Sequence, residues 1–453
     1  LVLHHRDCLE HRTIKGHQEA VERIPAVLAN LGSHAPQFFG PHELTVLEDF
    51  DKASYAAVRR VHSDDYVDFV WNLSDQFQAR TPRSRGKPQA FTPRVQQAVQ
   101  RLEENKIKPE ESCDTNFSEG SLNASLRAAG SVICAINRIV RGESRNAFCA
   151  VRPPGHHAGV SGHVAGSSSC GFCIFNSVAI GALDALEHHK EDVKKVAIVD
   201  IDVHHGNGTE EIIKKLNRSE ELFFCSTHLY DGDFYPASGD SDHIESNVMN
   251  LPITPLWKCL PTGCGEVDFF GRISFRTQIA QRLLPTLRAF SPDLILVSAG
   301  YDGCKNDIGN KRNAARTGPI GLDLSKDDYS WVIEHLKAVA DIVCKGRIVV
   351  VLEGGYGKII KGKPVSELST TDLSVNAALT VQALVGSRPQ STSPNMFAST
   401  SKKFSSASKS KKYCETKAAN ALKKSTRSSV KVDECVSAAT TGEEDEILST
   451  TAS

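Results

Sequence analysis

The chain has 453 residues, with 53 Lys and Arg against 54 Asp and Glu, so its formal net charge is −1. Apolar residues make up 40% and charged residues 24%, as in an ordinary soluble protein. A near-neutral total excludes a wholesale nucleic-acid binder, whose phosphate contacts need a basic surplus, and at roughly 150 residues per domain the length allows about three domains or one large α/β unit with appendages.

The opening segment, Leu1-Val2-Leu3-His4-His5-Arg6-Asp7, lacks the apolar centre of a signal peptide and starts without Met, as expected of a fragment or a processed form. No stretch approaches the roughly 18 to 20 apolar residues of a membrane-spanning helix. Thirteen cysteines, an odd number with no secretory signal, read as reduced intracellular thiols. The adjacent pairs His4-His5 and His188-His189 read as surface. Residues 73–112 are polar, with Pro82, Pro88 and Pro93 and a basic knot at Arg80, Arg83, Arg85 and Lys87. They are expected to form a surface excursion with one helical piece near 94–104.

Short apolar runs rich in β-branched residues follow at 147–151, 195–201, 222–227, 294–299 and 347–352. Near-continuous hydrophobicity suits strands buried on both faces of a parallel sheet. Helical segments alternate with them at 174–187, 209–216, 273–289 and 326–344. In the last, Trp331, Ile333, His335 and Leu336 fall near one face, followed by Val339, Ile342 and Val343. The alternation predicts one large doubly wound α/β domain over residues 1–385. Residues 387–453 hold 23 Ser and Thr but only ten large apolar side chains, too few to offset ordering entropy, so 386–453 is expected to be a disordered tail. Between 401 and 436 ten Lys and Arg face three acids, a surplus of seven that the whole-chain total conceals. Such an arm suits nuclear import or a chromatin contact, and it is the one expected route to nucleic acid.

Chemistry-bearing residues gather where the predicted strands end. After 147–151 comes Arg152-Pro153-Pro154-Gly155-His156-His157-Ala158, a rigid turn carrying paired imidazoles, one of them suited to general-base work. Cys170-Gly171-Phe172-Cys173 is a lone C-x-x-C, without the second pair a four-Cys zinc site needs, and reads as two buried thiols. After 195–201 comes Asp200-Ile201-Asp202-Val203-His204-His205-Gly206-Asn207-Gly208. In an extended chain Asp200, Asp202 and His204 point to one side. Open α/β sheets bind ligands beyond the strand ends, and a carboxylate with an imidazole suits a divalent metal such as zinc. Strand 294–299 leads to Gly300-Tyr301-Asp302, which offers Asp302 as a third ligand. Three ligands leave positions open for water and substrate, the pattern of a catalytic zinc. Strand 347–352 leads to Glu353-Gly354-Gly355-Tyr356-Gly357, whose Tyr hydroxyl is suited to donate to an oxyanion. Together these ends imply metal-assisted hydrolysis of a carbonyl compound, an amide above all.

In order and spacing, segments 152–158, 170–176, 200–209, 298–302 and 352–356 resemble the histone deacetylase family, over roughly residues 1 to 385. The likeness is to its class II branch. Asn207 stands where class I usually has Asp, and Tyr356 stands where class IIa vertebrate members carry His. The resemblance implies an arginase/deacetylase-like fold and one catalytic zinc on Asp202, His204 and Asp302. It makes His157 the general base and acid, His156 its electrostatic partner, and Asp200 and Asn207 the residues that orient them. It implies a substrate tunnel at Gly155, Phe172 and Tyr235, the last where the family usually has Phe. A structural potassium ion is expected near Asp200, Asp202, His204 and Ser226. The implied substrate is acetylated lysine in proteins, histone tails among them, with a corepressor complex as a possible setting and a nuclear or cytoplasmic location. Loops 159–169 and 304–318 are longer than usual in the family, and the second is basic through Lys305, Lys311, Arg312 and Arg316. A two-manganese ureohydrolase is disfavoured because 152–158 lacks further carboxylates. A silent acetyl-lysine-binding scaffold is disfavoured by the intact Tyr356, and an acetylpolyamine deacetylase by the basic rim.

Overall fold

In a computed structural model, eight parallel strands form the central sheet: β1 (Val2–Leu3), β2 (Val46–Leu47), β3 (Asn146–Cys149), β4 (Val196–Asp200), β5 (Leu222–Leu229), β6 (Val248–Ile253), β7 (Leu294–Ala299) and β8 (Ile348–Leu352). Their order is β2-β1-β3-β8-β7-β4-β5-β6. The structure describes residues 1–38, 44–80, 86–94, 96, 114–258, 270–312, 318–364 and 366–386, all within one compact unit, Leu1–Arg388. The tail from 387, Arg83, Arg85, Arg316 and most of the helical piece expected near 94–104 lie outside the described residues.

The doubly wound expectation holds because the strands split their side chains between two cores. Val196, Ile198, Leu294, Leu296, Val349 and Val351 enter one apolar cluster. Their sequence neighbours Ala197, Val199, Ile295, Val297, Ile348 and Val350 enter the other. Period-2 alternation with both faces apolar is what a sheet covered by helices on each side requires. The first face is covered by helices α1 (Asp64–Gln78), α2 (Ser121–Val140) and α3 (Ser177–His188). The second is covered by α4 (Lys326–Val343), α5 (Thr371–Val385) and the helical run 271–290.

Several local expectations change. Residues 73–78 are the end of α1, where Leu73 and Phe77 are buried, and not part of a polar excursion. The helix expected over 273–289 begins at Gly271 and is interrupted by a π-turn at Ile279–Leu283. The buried face of α4 is Tyr329, Val332, Ile333, Leu336, Val339 and Ala340, whereas Ile342 is 66% exposed. His4 and His5 are half-buried: His4 lies 3.2 Å from Glu48, and His5 Nδ1 accepts from the Asp7 amide. Cys170 and Cys173 are buried free thiols, and burial pushes the Cys173 thiol well above its ordinary range.

Candidate active site

All eight strands run the same way, so the segments after β3, β4, β5, β7 and β8 meet at one edge of the sheet. After β4, Asp202 and His204 fold toward Asp302 from the segment after β7. One ligand atom from each lies within 4.8 Å of the others. His204 Nδ1 is 3.0 Å from Asp202 Oδ1 and 3.2 Å from Asp302 Oδ2. Both carboxylates are essentially inaccessible to solvent. Two buried carboxylates and one imidazole demand a cation, because an uncompensated buried charge costs several kcal/mol. Asp302 Oδ2 is buried and has His204 Nδ1 as a close polar neighbour at 3.2 Å, as fits two ligands turned toward one metal. The backbone makes room for this geometry. A Cβ on Gly300 would lie 1.8 Å from Asp202 Oδ2, and one on Gly354 would lie 2.3 Å from Asp302 Oδ2. The donor set therefore fits zinc. Burial opposes a charged His204, but Asp202 and Asp302 raise it to about 9. Burial would likewise raise Asp202, but His156 and His204 hold its carboxyl well below the usual range.

Asp200, expected on the same side as Asp202 and His204, takes a different task. Its Oδ2 lies 2.8 Å from His156 Nδ1. The neighbouring His157 Nδ1 lies 2.8 Å from Asn207 Oδ1. The two rings are 4.0 Å apart between centroids. Burial disfavours charge on both. For His156 the Asp200 and Asp202 carboxylates override it and raise the imidazole to about 10. For His157 burial is reinforced by His156 and His204, and the imidazole falls well below its usual range. The turn bearing both histidines is clamped by Asn176, which caps α3 and also donates to Ala158 O and Thr209 Oγ1.

A cavity of about 290 Å³ opens over this cluster, with His157, His204, Phe172, Tyr235 and Tyr356 on its walls. Phe172 meets Tyr356 edge to face at 5.6 Å, and Tyr235 meets His157 at 4.9 Å. Phe234 stacks on His204 at 5.2 Å and 7°. The Tyr235 hydroxyl donates to Ser169 O, which anchors that wall to the long 159–169 loop. Burial, then Asp302 and Asp202, push the Tyr356 hydroxyl well above its usual range, so it stays a proton-bearing donor.

One expected tunnel residue is corrected. Gly155 does not line the cavity; its amide donates to Glu353 Oε2, and a Cβ there would press on the Phe175 carbonyl. The lining glycines are Gly171 and Gly309. Of the four residues expected around potassium, sheet register sets Asp200 beside Ser226, and Asp202 N donates to Asp200 Oδ1. Ser226 Oγ also lies 2.9 Å from His228 Nδ1.

Sequence reasoning missed a buried polar frame beneath the cavity. Arg152 donates twice to Glu19, at 2.7 and 2.6 Å, and both are fully buried. Arg23 donates to Gly355 O and to Glu353 O. Glu353 is raised to about 7, chiefly by burial, and its Oε1 is without a hydrogen bond among the described residues. The missed groups at the mouth are Gln18, Asp114 and Asp233, beside the expected Lys311 and Arg312.

This is an α/β fold with an acid–imidazole triad, a histidine pair and a tyrosine at its strand ends. The family model described as histone deacetylase domain matches residues 17–369, and the chain belongs to the histone deacetylase family. A probable deacetylase of Archaeoglobus fulgidus is 30% identical over 382 residues, covering 83% of this chain and 85% of the relative. Type-2 histone deacetylase 2 of Dictyostelium discoideum is 31% identical over 367 residues, covering 79% of this chain and 20% of the relative. Histone deacetylase 15 of Arabidopsis thaliana is 34% identical over 288 residues, covering 62% and 43%. The chain thus spans less than half the length of these last two. The solved crystal structure of the HDA15 HD domain superposes with a TM-score of 0.62 at 27% identity, covering 85% of this chain and 88% of that one. Among the described residues no helix is long and apolar enough to cross a membrane.

Proposed function

We propose that the chain is a zinc-dependent hydrolase that removes acetyl groups from the side-chain amine of lysine in proteins, histone tails among them, and releases acetate. The supporting observation is the placement of His157 and Tyr356 on the wall of a cavity also lined by His204, whose ring groups with Asp202 and Asp302. Phe172 and Tyr235 form aromatic walls suited to the methylenes of a lysine.

Asp202, His204 and Asp302 would hold the metal. When bound, zinc polarises the acyl carbonyl and lowers the pKa of water toward about 7. The remaining steps belong to side chains. The Asn207 oxygen accepts from His157 Nδ1–H, which leaves Nε2 free as the base that takes a proton from the attacking water. Tyr356 donates to the carbonyl oxygen as it becomes negative. His157 then returns the proton to the departing lysine amine, and acetate leaves. Asp200 holds His156 as a positive neighbour. A structural potassium ion near Asp200, Asp202, His204 and Ser226, a corepressor partner, a chromatin-directed tail and a nuclear or cytoplasmic location belong to the same reading.

The test is incubation of the purified chain with acetyl-lysine peptides and acetylpolyamines, with and without a chelator. Chelator-sensitive release of acetate from peptides is expected. Turnover indifferent to metal removal, or none with any acyl-lysine, would overturn the assignment, and a preference for polyamines would replace the substrate.

A further inference from the structure

We propose that Asp307 is the positioning residue of Tyr356: its carboxylate holds the peptide that carries the oxyanion donor and ties it to the lip of the cavity. The inference rests on the deacetylase reading of the site. Gly354, Gly355 and Gly357 surround Tyr356, so the segment has little rigidity of its own. It must be fixed from outside, and its backbone groups show how. Gly354 N donates to Asp202 Oδ2. The Glu353 and Gly355 carbonyls accept from Arg23. The Tyr356 and Gly357 amides both donate to Asp307 Oδ2, at 3.0 and 2.6 Å. Asp307 Oδ1 accepts from Gly309 N at 2.9 Å, and Ile308 N donates to Gly357 O at 2.9 Å.

Asp307 is 3% exposed, and no cationic side chain pairs with it among the described residues. Its buried carboxylate is satisfied by three backbone amides from two segments. Removing it would leave those amides without partners in a place water hardly reaches. Because Ile308 and Gly309 line the cavity together with Tyr356, the strut makes the lip and the oxyanion donor one body. A hydroxyl held to within a few tenths of an ångström is worth more to a transition state than one that wanders.

The test compares Asp307→Ser and Asp307→Asn in wild-type and Tyr356→Phe backgrounds. Initial rates on an acetyl-lysine peptide are read together with amide exchange over 354–358. In the wild-type background kcat is expected to fall at least about 30-fold, with KM within about threefold. In the Tyr356→Phe background the further loss is expected to stay below about threefold, because there is no donor left to misplace. Exchange at the Tyr356 and Gly357 amides should quicken while β4 and β7 stay protected. Equal losses in both backgrounds, or folded variants with undiminished kcat, would overturn the role. If Asp307→Ser does not fold, Asp307→Asn, of equal size, decides. An inactive wild-type enzyme would sink the deacetylase reading instead, and amide exchange would still judge the strut.

Discussion

Tyr356→Phe isolates one oxygen. The ring is 4% exposed and packs edge to face on Phe172, with the Arg23 guanidinium 5.2 Å from its centroid. Phenylalanine keeps all of these contacts. Among the described residues the hydroxyl makes no hydrogen bond, so its loss strands no partner. Unfolding free energy should therefore change by less than about 1 kcal/mol. Catalysis is different. The hydroxyl faces the cavity in a low-dielectric wall, where a donor aimed at a developing oxyanion contributes about 2.7 to 4 kcal/mol, or roughly 10²- to 10³-fold in kcat. The assay is steady-state acetate release from an acetyl-lysine peptide, with thermal melting and zinc content measured on the same preparation. The expected outcome is kcat lowered at least about 100-fold, with unchanged melting, zinc content and, within about threefold, KM. A variant that retains more than a tenth of the wild-type kcat would show that Tyr356 is not the donor.

Gly300→Ala places a methyl 1.8 Å from Asp202 Oδ2, so zinc stoichiometry should fall well below one per chain while far-UV circular dichroism is retained; full metal content would refute the packing argument. The pH profile follows from His157, whose imidazole burial holds well below 6.5. A base works deprotonated, so the acid limb of kcat/KM should lie below pH 6.5, and Asn207→Asp, by adding a carboxylate at the 2.8 Å contact, should move that limb upward. An acid limb unmoved in that variant would detach Asn207 from the base. Lys311 and Arg312 line the mouth and join no ion pair among the described residues. Reversing both charges should lower kcat/KM for peptides with Glu beside the acetyl-lysine by up to about 30-fold relative to neutral peptides, at ~1 kcal/mol or less per exposed pair. Equal effects on both peptides would remove the rim from substrate choice.

The five buried strands were readable because a strand covered on both faces carries apolar residues without interruption, and each begins or ends within two residues of its apolar run. The edges were not. β1 and β2 are two residues each, and β6 contains Asn250 and Pro252, so neither length nor composition announced them. The site divides in the same way. Asp202, His204, Asp302, the histidine pair and Tyr356 stand in local motifs that mark the strand ends. Glu19, Arg23 and Asp307 do not, because their meaning lies in partners 133, 332 and 49 residues away. Nothing local distinguishes a glutamate that will neutralise a buried arginine from one on the surface. Gly155 was misassigned for a related reason. Two glycines flank two sharp turns at the same sheet edge, and only packing decides that Gly171 faces the cavity.

The adjacent histidines are the clearest case of chemistry set by partners. His156 and His157 share a turn, nearly the same burial, and rings 4.0 Å apart. Two imidazolium charges at that distance repel, so one proton is favoured over two. The partners decide where it goes. Asp200 is a carboxylate and stabilises a charged ring; Asn207 is neutral and only orients one. The result is a His156 raised to about 10 beside a His157 held well below its ordinary value. A charged imidazole has no lone pair to accept a proton, which leaves His157 as the only one of the two able to act as a base near neutral pH. The difference between one oxygen and one amide group, at residues 200 and 207, thus assigns the roles that the dipeptide alone left open.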